Sequence, residues 1–350
     1  MKNEIEERLL KAIDEHTFPG AVVGVLVGGE RQYVAVGHFT YDVTSPEVMT
    51  DTTYDVASIT KAVPVALIAG HFIEQGKLGL DDQIITYLPE IDIEHAEKGL
   101  IRHLLTYTYV LQKHPDPNFS YEGYTAEDVL DFLFHRPFEF LPGTKQKYNN
   151  TPLNLLGLIL ERVSGEKLYT LARKTILDPV AMTHSTFHPV DKTAIPPTEI
   201  TTWRGEIQGE VHDETTYICQ KEGYDPGCAG LFSNTDDLLN VAEMMLQKGS
   251  FRGKRILKEE TVTLMTTNAL ADIGEWASIG WELNQPFFMG SHAHEHMIGK
   301  TGFTGTSIII DPKQGKAVVL LSNRTYPHRI QNGATNAVRS DIADIVFSMQ

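Results

Sequence analysis

Two pairs of short, β-branched runs stand at opposite ends of this 350-residue chain, and what separates them reads as helix. Residues 21–27 form a continuous apolar run, Gly28-Gly29 makes a tight turn, and 32–36 alternates back as a second strand. Near the other end, the β-branched runs 306–310 and 317–321 flank a turn carrying Asp311-Pro312 and Gly315. Strands at both termini predict one sheet built from both ends of the chain and interrupted by a helical insertion. The expected fold class is therefore α+β.

Helical periodicity fills the rest. Ile5, Leu9, Leu10 and Ile13 form a stripe on a first helix that Pro19-Gly20 ends. Residues 62–75 are apolar and closed by Gly76, with Pro64 expected to be harmless in the first turn. Further helical runs are 129–134, 153–163 and 238–247, and a last helix carries Val338, Ile342, Ile345 and Val346 on one stripe. No internal repeat or low-complexity linker is present.

With 41% hydrophobic and 22% charged residues the chain has an ordinary globular balance. A net charge of -16 disfavours phosphate backbones and anionic lipid, so neither nucleic acid nor a membrane is an expected partner. No apolar run approaches the ~18–20 residues that cross a bilayer. The charged start Met1-Lys2-Asn3-Glu4 does not read as a secretory signal, which leads us to expect a cytoplasmic protein. Two cysteines, Cys219 and Cys228, exclude a disulfide framework and are expected to be reduced thiols.

Ser58-Ile59-Thr60-Lys61 opens the apolar run at 62–75. Positions i and i+3 share a helix face, so the Lys61 amine can reach the Ser58 hydroxyl and help remove its proton. A helix start also offers free N–H groups to a developing oxyanion. Chance alone gives roughly one Ser-x-x-Lys in a chain this long, and Ser164-Gly165-Glu166-Lys167 is a second. Ser164 lies between two helical runs, where a helix cap is the better account.

Tyr148-Asn149-Asn150 follows Pro142-Gly143 and precedes a helix. A tyrosine near cations can act as a base toward serine, and Asn150 can orient the lysine or bind a substrate amide. As a plainer alternative, Tyr148 packs on a loop and Asn150 caps the helix. Lys300-Thr301-Gly302 stands just before the terminal strands. Its cation and hydroxyl can bind a substrate carboxylate or carbonyl, and Gly302 admits close backbone approach. The Phe303 N–H could complete an oxyanion hole with that of Ser58. Here the plainer alternative is a strand-end turn.

The ordered set Ser-x-x-Lys, Tyr-x-Asn, Lys-Thr-Gly resembles the serine β-lactamase and penicillin-binding protein superfamily, on its class C β-lactamase-like branch with esterases and D-amino-acid peptidases. A Ser-Asp-Asn motif, typical of the class A side, is absent. The likeness extends through Gly37-His38-Phe39-Thr40-Tyr41-Asp42, Tyr54-Asp55-Val56-Ala57, Ile101-Arg102-His103-Leu104-Leu105-Thr106, Ala229-Gly230-Leu231-Phe232-Ser233 and Gly302-Phe303-Thr304-Gly305. Two departures stand out. Tyr107-Thr108-Tyr109-Val110 replaces the family's usual His-Thr-Ser-Gly, and Lys300 stands where many relatives carry histidine.

The resemblance implies a β-lactamase/transpeptidase-like fold: an antiparallel sheet flanked by helices, from residues 1–60 and 235–350, with a mostly helical domain at 61–234 and the active site between them. It implies that Ser58 forms an acyl-enzyme on a β-lactam, a D-amino peptide or a small ester. Lys61 and Tyr148 would share proton transfer, and Lys300 and Thr301 would hold the substrate and favour the tyrosinate. Asn150 and Gly302 would bind substrate, and the N–H groups of Ser58 and Phe303 would hold the oxyanion. It implies a small-molecule substrate and no cofactor or metal, and leaves the oligomeric state open.

Two features remain outside this set. Val211-His212-Asp213-Glu214 resembles a loop of one sub-branch, and reads more readily as a solvated turn than as part of a cleft. His292, His294 and His296 would share one face of a strand, an alternative metal-dependent hydrolase site that lacks a completing carboxylate or cysteine. A catalytically silent binding module is a third reading. Gly299-Lys300-Thr301 lacks the first glycine of a phosphate loop, and no Gly-x-Ser-x-Gly elbow occurs.

Overall fold

The computed structural model describes residues 1–116, 119–329 and 333–349. At its centre both ends of the chain build a six-stranded antiparallel sheet. The N-terminal hairpin is β1 (Gly20–Val27) and β2 (Glu30–Gly37). β3 (Tyr54–Asp55) and β4 (Phe232–Ser233) form a short ladder of their own. The C-terminal strands are β5 (Glu282–Leu283), β6 (Ile298–Thr301), β7 (Ser307–Asp311) and β8 (Lys316–Ser322). Their order in space is β5-β6-β7-β8-β1-β2, so β1 pairs with the last strand, Val22 opposite Leu321 and Val25 opposite Val318.

Strand alternation divides this sheet between two cores. Val22, Leu26, Ile308, Ile310, Val319 and Leu321 face one, and Val23, Val25, Ile309, Val318 and Leu320 face the other. Each such side chain withdrawn from water contributes roughly 1.5–3 kcal/mol, which is why β1 has no polar position. The second core is closed by α1 (Lys2–Asp14) and by α6 (Ala334–Phe347), through Val338, Ile342 and Val346. The first continues into the helical part of the chain, where α2 (Leu67–Glu74), α3 (Thr151–Ser164) and α5 (Thr235–Leu246) pack. A shorter helix, α4 (Glu214–Lys221), packs by Ile218 and Cys219 on Ala126 and Val129. No described helix is long and apolar enough to cross a membrane.

Several local expectations change. Leu10 is 47% exposed, and Ala12 joins Ile5 and Leu9 on the buried face of α1; one step from Leu9 turns a side chain about 100° round the helix. Pro64 is not harmless: Val63 leaves helical dihedrals (φ -120°, ψ 111°), and regular helix starts only at Leu67. The proline ring disfavours helical backbone at the residue before it. Ser164 ends α3 rather than starting the next helix, its Oγ donating to the Leu160 carbonyl at 2.8 Å.

The three alternating histidines lie on a loop after the short helix Pro286–Met289, so the shared strand face does not form. His292 and His296 are exposed, and His294 turns instead to the buried Asp311 at 3.1 Å. Among the described residues no group of three or more His, Cys, Asp or Glu is placed to hold a metal ion. Cys219 and Cys228 are both free and buried.

Candidate active site

The segment carrying Ser58 and Lys61 begins where β3 ends. Ala57 sits at φ 47°, a left-handed backbone that costs a residue with a side chain about 1–2 kcal/mol. Asp55 supports it: Oδ1 accepts the Ala57 N–H at 2.8 Å and Oδ2 that of His212 at 2.7 Å. Two tight i→i+3 bonds follow, Thr60 N–H to Ala57 O and Lys61 N–H to Ser58 O. They stack the Ser58 and Lys61 side chains. Lys61 Nζ lies 2.8 Å from Ser58 Oγ and donates to the Cys228 carbonyl at 2.7 Å. Thr60 holds the neighbouring segment in place, its Oγ1 accepting the Leu231 N–H at 3.1 Å.

Lys61 is fully buried, and desolvation lowers its proton affinity from the ordinary lysine range against the pull of Cys228, Tyr107 and Asp213. Tyr148, reaching in from just before α3, forms part of the cleft wall near Ser58, whose hydroxyl acts on its phenol. Although the residue is 49% exposed, the phenol is pushed up to about 12, by desolvation first, with Lys300 and Ser58 pulling the other way. The expected tyrosinate is therefore not the resting form.

Lys300 explains part of this. It is fully buried, paired with Glu282 at 2.8 Å, and lies 4.6 Å from the Tyr148 ring centre and 4.5 Å from that of Tyr107. A cation neutralised by Glu282 favours a tyrosinate less. It also does not reach the cleft as a substrate-binding cation would; Thr301, Gly302 and Phe303 are the cleft-lining residues of this segment. β5 covers β6 only at Ile298 and Gly299, so the end carrying Lys300 and Thr301 stands beyond that pairing.

Gly302 has a structural reason of its own. A Cβ there would stand 2.0 Å from Thr306 Oγ1 and 2.4 Å from the Val56 carbonyl oxygen. Glycine is thus required by the protein's own Thr306 hydroxyl and Val56 carbonyl, at a residue that also lines the cleft. Thr304 Oγ1 donates to the Asp55 carbonyl at 2.7 Å and Thr306 Oγ1 to that of Val56 at 3.0 Å. Arg339 of α6 clamps the same turn, Nη2 donating to the Gly302 and Thr306 carbonyls at 2.8 Å each. The turn so fixed carries the Phe303 N–H. Among the described residues neither it nor the Ser58 N–H has a hydrogen-bond partner, and both residues line one cleft.

That cleft has a volume of about 830 Å³. Asn150 lines it without capping α3 through its side chain; Nδ2 donates instead to Asp213 Oδ2 at 2.9 Å. The segment 211–214 is therefore no solvated turn: His212 is buried, and His212, Asp213 and Glu214 all line the cleft. The structure brings Ser58, Lys61, Tyr148, Asn150, Thr301, Gly302 and Phe303 together, with Lys300 behind Tyr148. Sequence reasoning missed Glu282, Arg339 and the Cys228 carbonyl, and undervalued Asp213 and Tyr107. Only the unusual Tyr107 and the family-like 211–214 loop carried a signal.

With this geometry in place, comparisons with known proteins are informative. The Beta-lactamase family model matches residues 5–341. A Bacillus subtilis (strain 168) protein named N-acetylmuramyl-L-alanine amidase is 28% identical, over 88% of this chain and 78% of its own. An Escherichia coli (strain K12) protein with the provisional name D-alanyl-D-alanine carboxypeptidase is 32% identical, over 80% of this chain and 70% of its own. Among solved structures, EstCE1, described as a hydrolase with promiscuous acyltransferase activity, superposes with a TM-score of 0.79 at 22% identity, covering 99% of this chain and 98% of that one. The octameric penicillin-binding protein homologue from Pyrococcus abyssi gives 0.75 at 21% identity, covering 99% and 77%. The fold is thus β-lactamase/transpeptidase-like, and a match spanning nearly the whole sequence means that the chain belongs to the Beta-lactamase family of hydrolases.

Proposed function

We propose that the protein is a serine hydrolase of small esters and amides, acting through an acyl-enzyme on Ser58. The observation that carries this reading is the 2.8 Å contact between Ser58 Oγ and a buried Lys61 amine, beside two unengaged N–H groups. Ser58 Oγ attacks the carbonyl carbon while its proton passes to neutral Lys61. The oxyanion forms between the N–H groups of Ser58 and Phe303, each such donor contributing ~3–4 kcal/mol to the transition state. As the tetrahedral adduct collapses, the bond to the alkoxide or amine breaks, the leaving group takes the Tyr148 phenol proton, and the Lys61 ammonium beside that ring returns a proton to Tyr148, leaving both as they began. Water then repeats the sequence in reverse roles, and Ser58 regains its proton.

Lys300 serves this scheme from behind, holding the Tyr148 ring between itself and the cleft. Asn150 and Thr301 are the polar groups that meet the substrate. The relatives named as an amidase and a carboxypeptidase support an amide or peptide substrate, and the likeness to EstCE1 in fold is compatible with an ester.

Initial rates on p-nitrophenyl butyrate, a D-Ala-D-Ala-terminated peptide and a chromogenic cephalosporin test the reading. Turnover of at least one is expected, with Ser58→Ala lowering kcat by ~10⁴-fold or more and Ser164→Ala leaving it unchanged. Folded wild-type protein that turns over none of the three would instead be a binding module. An Ser58→Ala variant as active as wild type would place the nucleophile elsewhere.

A further inference from the structure

The geometry points to Asp213 as the positioning residue of this site: its carboxylate fixes the Asn150 amide and supplies a partly buried negative charge to the Ser58–Lys61 pair. This rests on the serine-hydrolase reading above and adds to it a residue that does not itself touch the reacting atoms.

Asp213 gathers donors from three parts of the chain. Oδ2 accepts Asn150 Nδ2 at 2.9 Å. Oδ1 accepts Thr215 Oγ1 at 2.7 Å, the Thr216 N–H at 2.9 Å and Thr216 Oγ1 at 3.0 Å, which makes Asp213 the N-cap of α4. The Cys228 thiol lies 3.7 Å from the same oxygen, and the Cys228 carbonyl holds Lys61. One residue earlier, the His212 N–H is tied to Asp55, which also supports Ala57 beside the nucleophile. A cap alone needs only the Thr216 contact. Thr215 belongs to the helix as well, whereas Asn150 and Cys228 belong to the catalytic surroundings.

Among the described residues the Asp213 carboxylate forms no ion pair within 4 Å. Desolvation opposes it, but the hydrogen bonds from Thr215 and Thr216 and the nearby Lys61 keep the Asp213 carboxyl below its usual range, so it is ionised at neutral pH. Lys61 is faced by Ser58 on its own turn, by Cys228 ahead of β4, by Tyr107 and Tyr148, and by Lys300 on β6. Tyr107, Tyr148 and Cys228 are neutral there, burial having raised all three. Lys300 is offset by Glu282. Asp213 is thus the carboxylate acting on Lys61, in favour of the ammonium and against the Lys300 cation.

The sign of its effect follows. Catalysis needs neutral Lys61, so kcat/KM rises with pH through the Lys61 titration. Removing the Asp213 charge lowers that titration and moves the acid limb to lower pH. Asp213→Asn keeps a good N-cap while removing the charge and setting donor against donor at Asn150. Asp213→Ser, another good cap, serves if the first variant folds poorly. Thr215→Ala removes one donor on the helix side and leaves the charge and the Asn150 contact in place.

The test is the pH profile of kcat/KM for p-nitrophenyl butyrate, with phosphonate labelling of Ser58 in every variant. For Asp213→Asn the acid limb should move down by ~0.5–1 pH unit and the plateau should fall by ~10-fold, while Thr215→Ala keeps the wild-type limb. An unmoved limb in a labelled, folded Asp213→Asn variant, with only a lower melting temperature, would reduce Asp213 to a helix cap and overturn the inference while leaving Ser58 as nucleophile. Failure of the phosphonate to label wild type would remove the serine-hydrolase reading and this inference with it.

Discussion

Burial decides the protonation states on which the site depends. Lys61 loses proton affinity to desolvation, and Tyr148 gains it for the same reason, because burial penalises whichever form is charged. The result is an ammonium that gives up its proton more readily than an ordinary lysine, beside a phenol that holds its own, whereas the family resemblance implied a tyrosinate. His103 shows the same physics away from the chemistry. Burial first, and Arg102 second, lower it from 6.5 to about 4. Its Nδ1 accepts the Leu100 N–H at 3.2 Å, a role that protonation at that atom abolishes. Because the folded-state value is depressed, the stability it contributes is complete above pH 6.5 and lost as pH falls toward about 4. For this partly exposed ring we expect a loss of ~1 kcal/mol. Urea unfolding at pH 7.5 and 4.5 checks this: His103→Gln, which keeps an acceptor, should lose less stability than wild type over that interval, and an equal loss would dismiss the assignment.

At the scale of elements, the strands and most helices were legible because period-two and 3.6-residue patterns are local properties of the chain. The apolar run of β1 faces a core on each side, and the stripe on α6 is buried at Val338, Ile342 and Val346. What was not legible arises from contacts between elements. Asp213 looks like a solvated turn residue until α3 brings Asn150 to it, 63 positions earlier in the chain. Glu282 carries no signature until β5 pairs with β6 and sets it against Lys300. Gly302 was legible as glycine, but its structural reason was not, since the atoms it avoids belong to Thr306 and to the distant Val56. Gly302→Ala should therefore displace the turn and the Phe303 N–H, lowering kcat by ~10²-fold with little change in KM. Steady-state kinetics on the same ester checks this; an unchanged kcat would mean that the turn is not held by this contact.

Over the whole molecule, a chain whose ends meet in one sheet brings four distant segments to one cleft. The segment after β3 supplies Ser58 and Lys61, the approach to α3 supplies Tyr148 and Asn150, and the start of α4 supplies Asp213. The end of β6 and its turn supply Thr301 and the Phe303 N–H. Arg339 joins the final helix to that last segment through the Gly302 and Thr306 carbonyls. The site is thus held by the same long-range packing that closes both cores, and the separate motifs acquire their chemistry only on folding. The central claim is that this assembly makes Ser58 an activated nucleophile. Intact-protein mass after exposure to a small activated phosphonate tests it most directly, with Ser58→Ala in parallel. A single adduct on wild type, absent from the variant, is the predicted result; folded wild-type protein without an adduct, or an adduct that persists in Ser58→Ala, would contradict it.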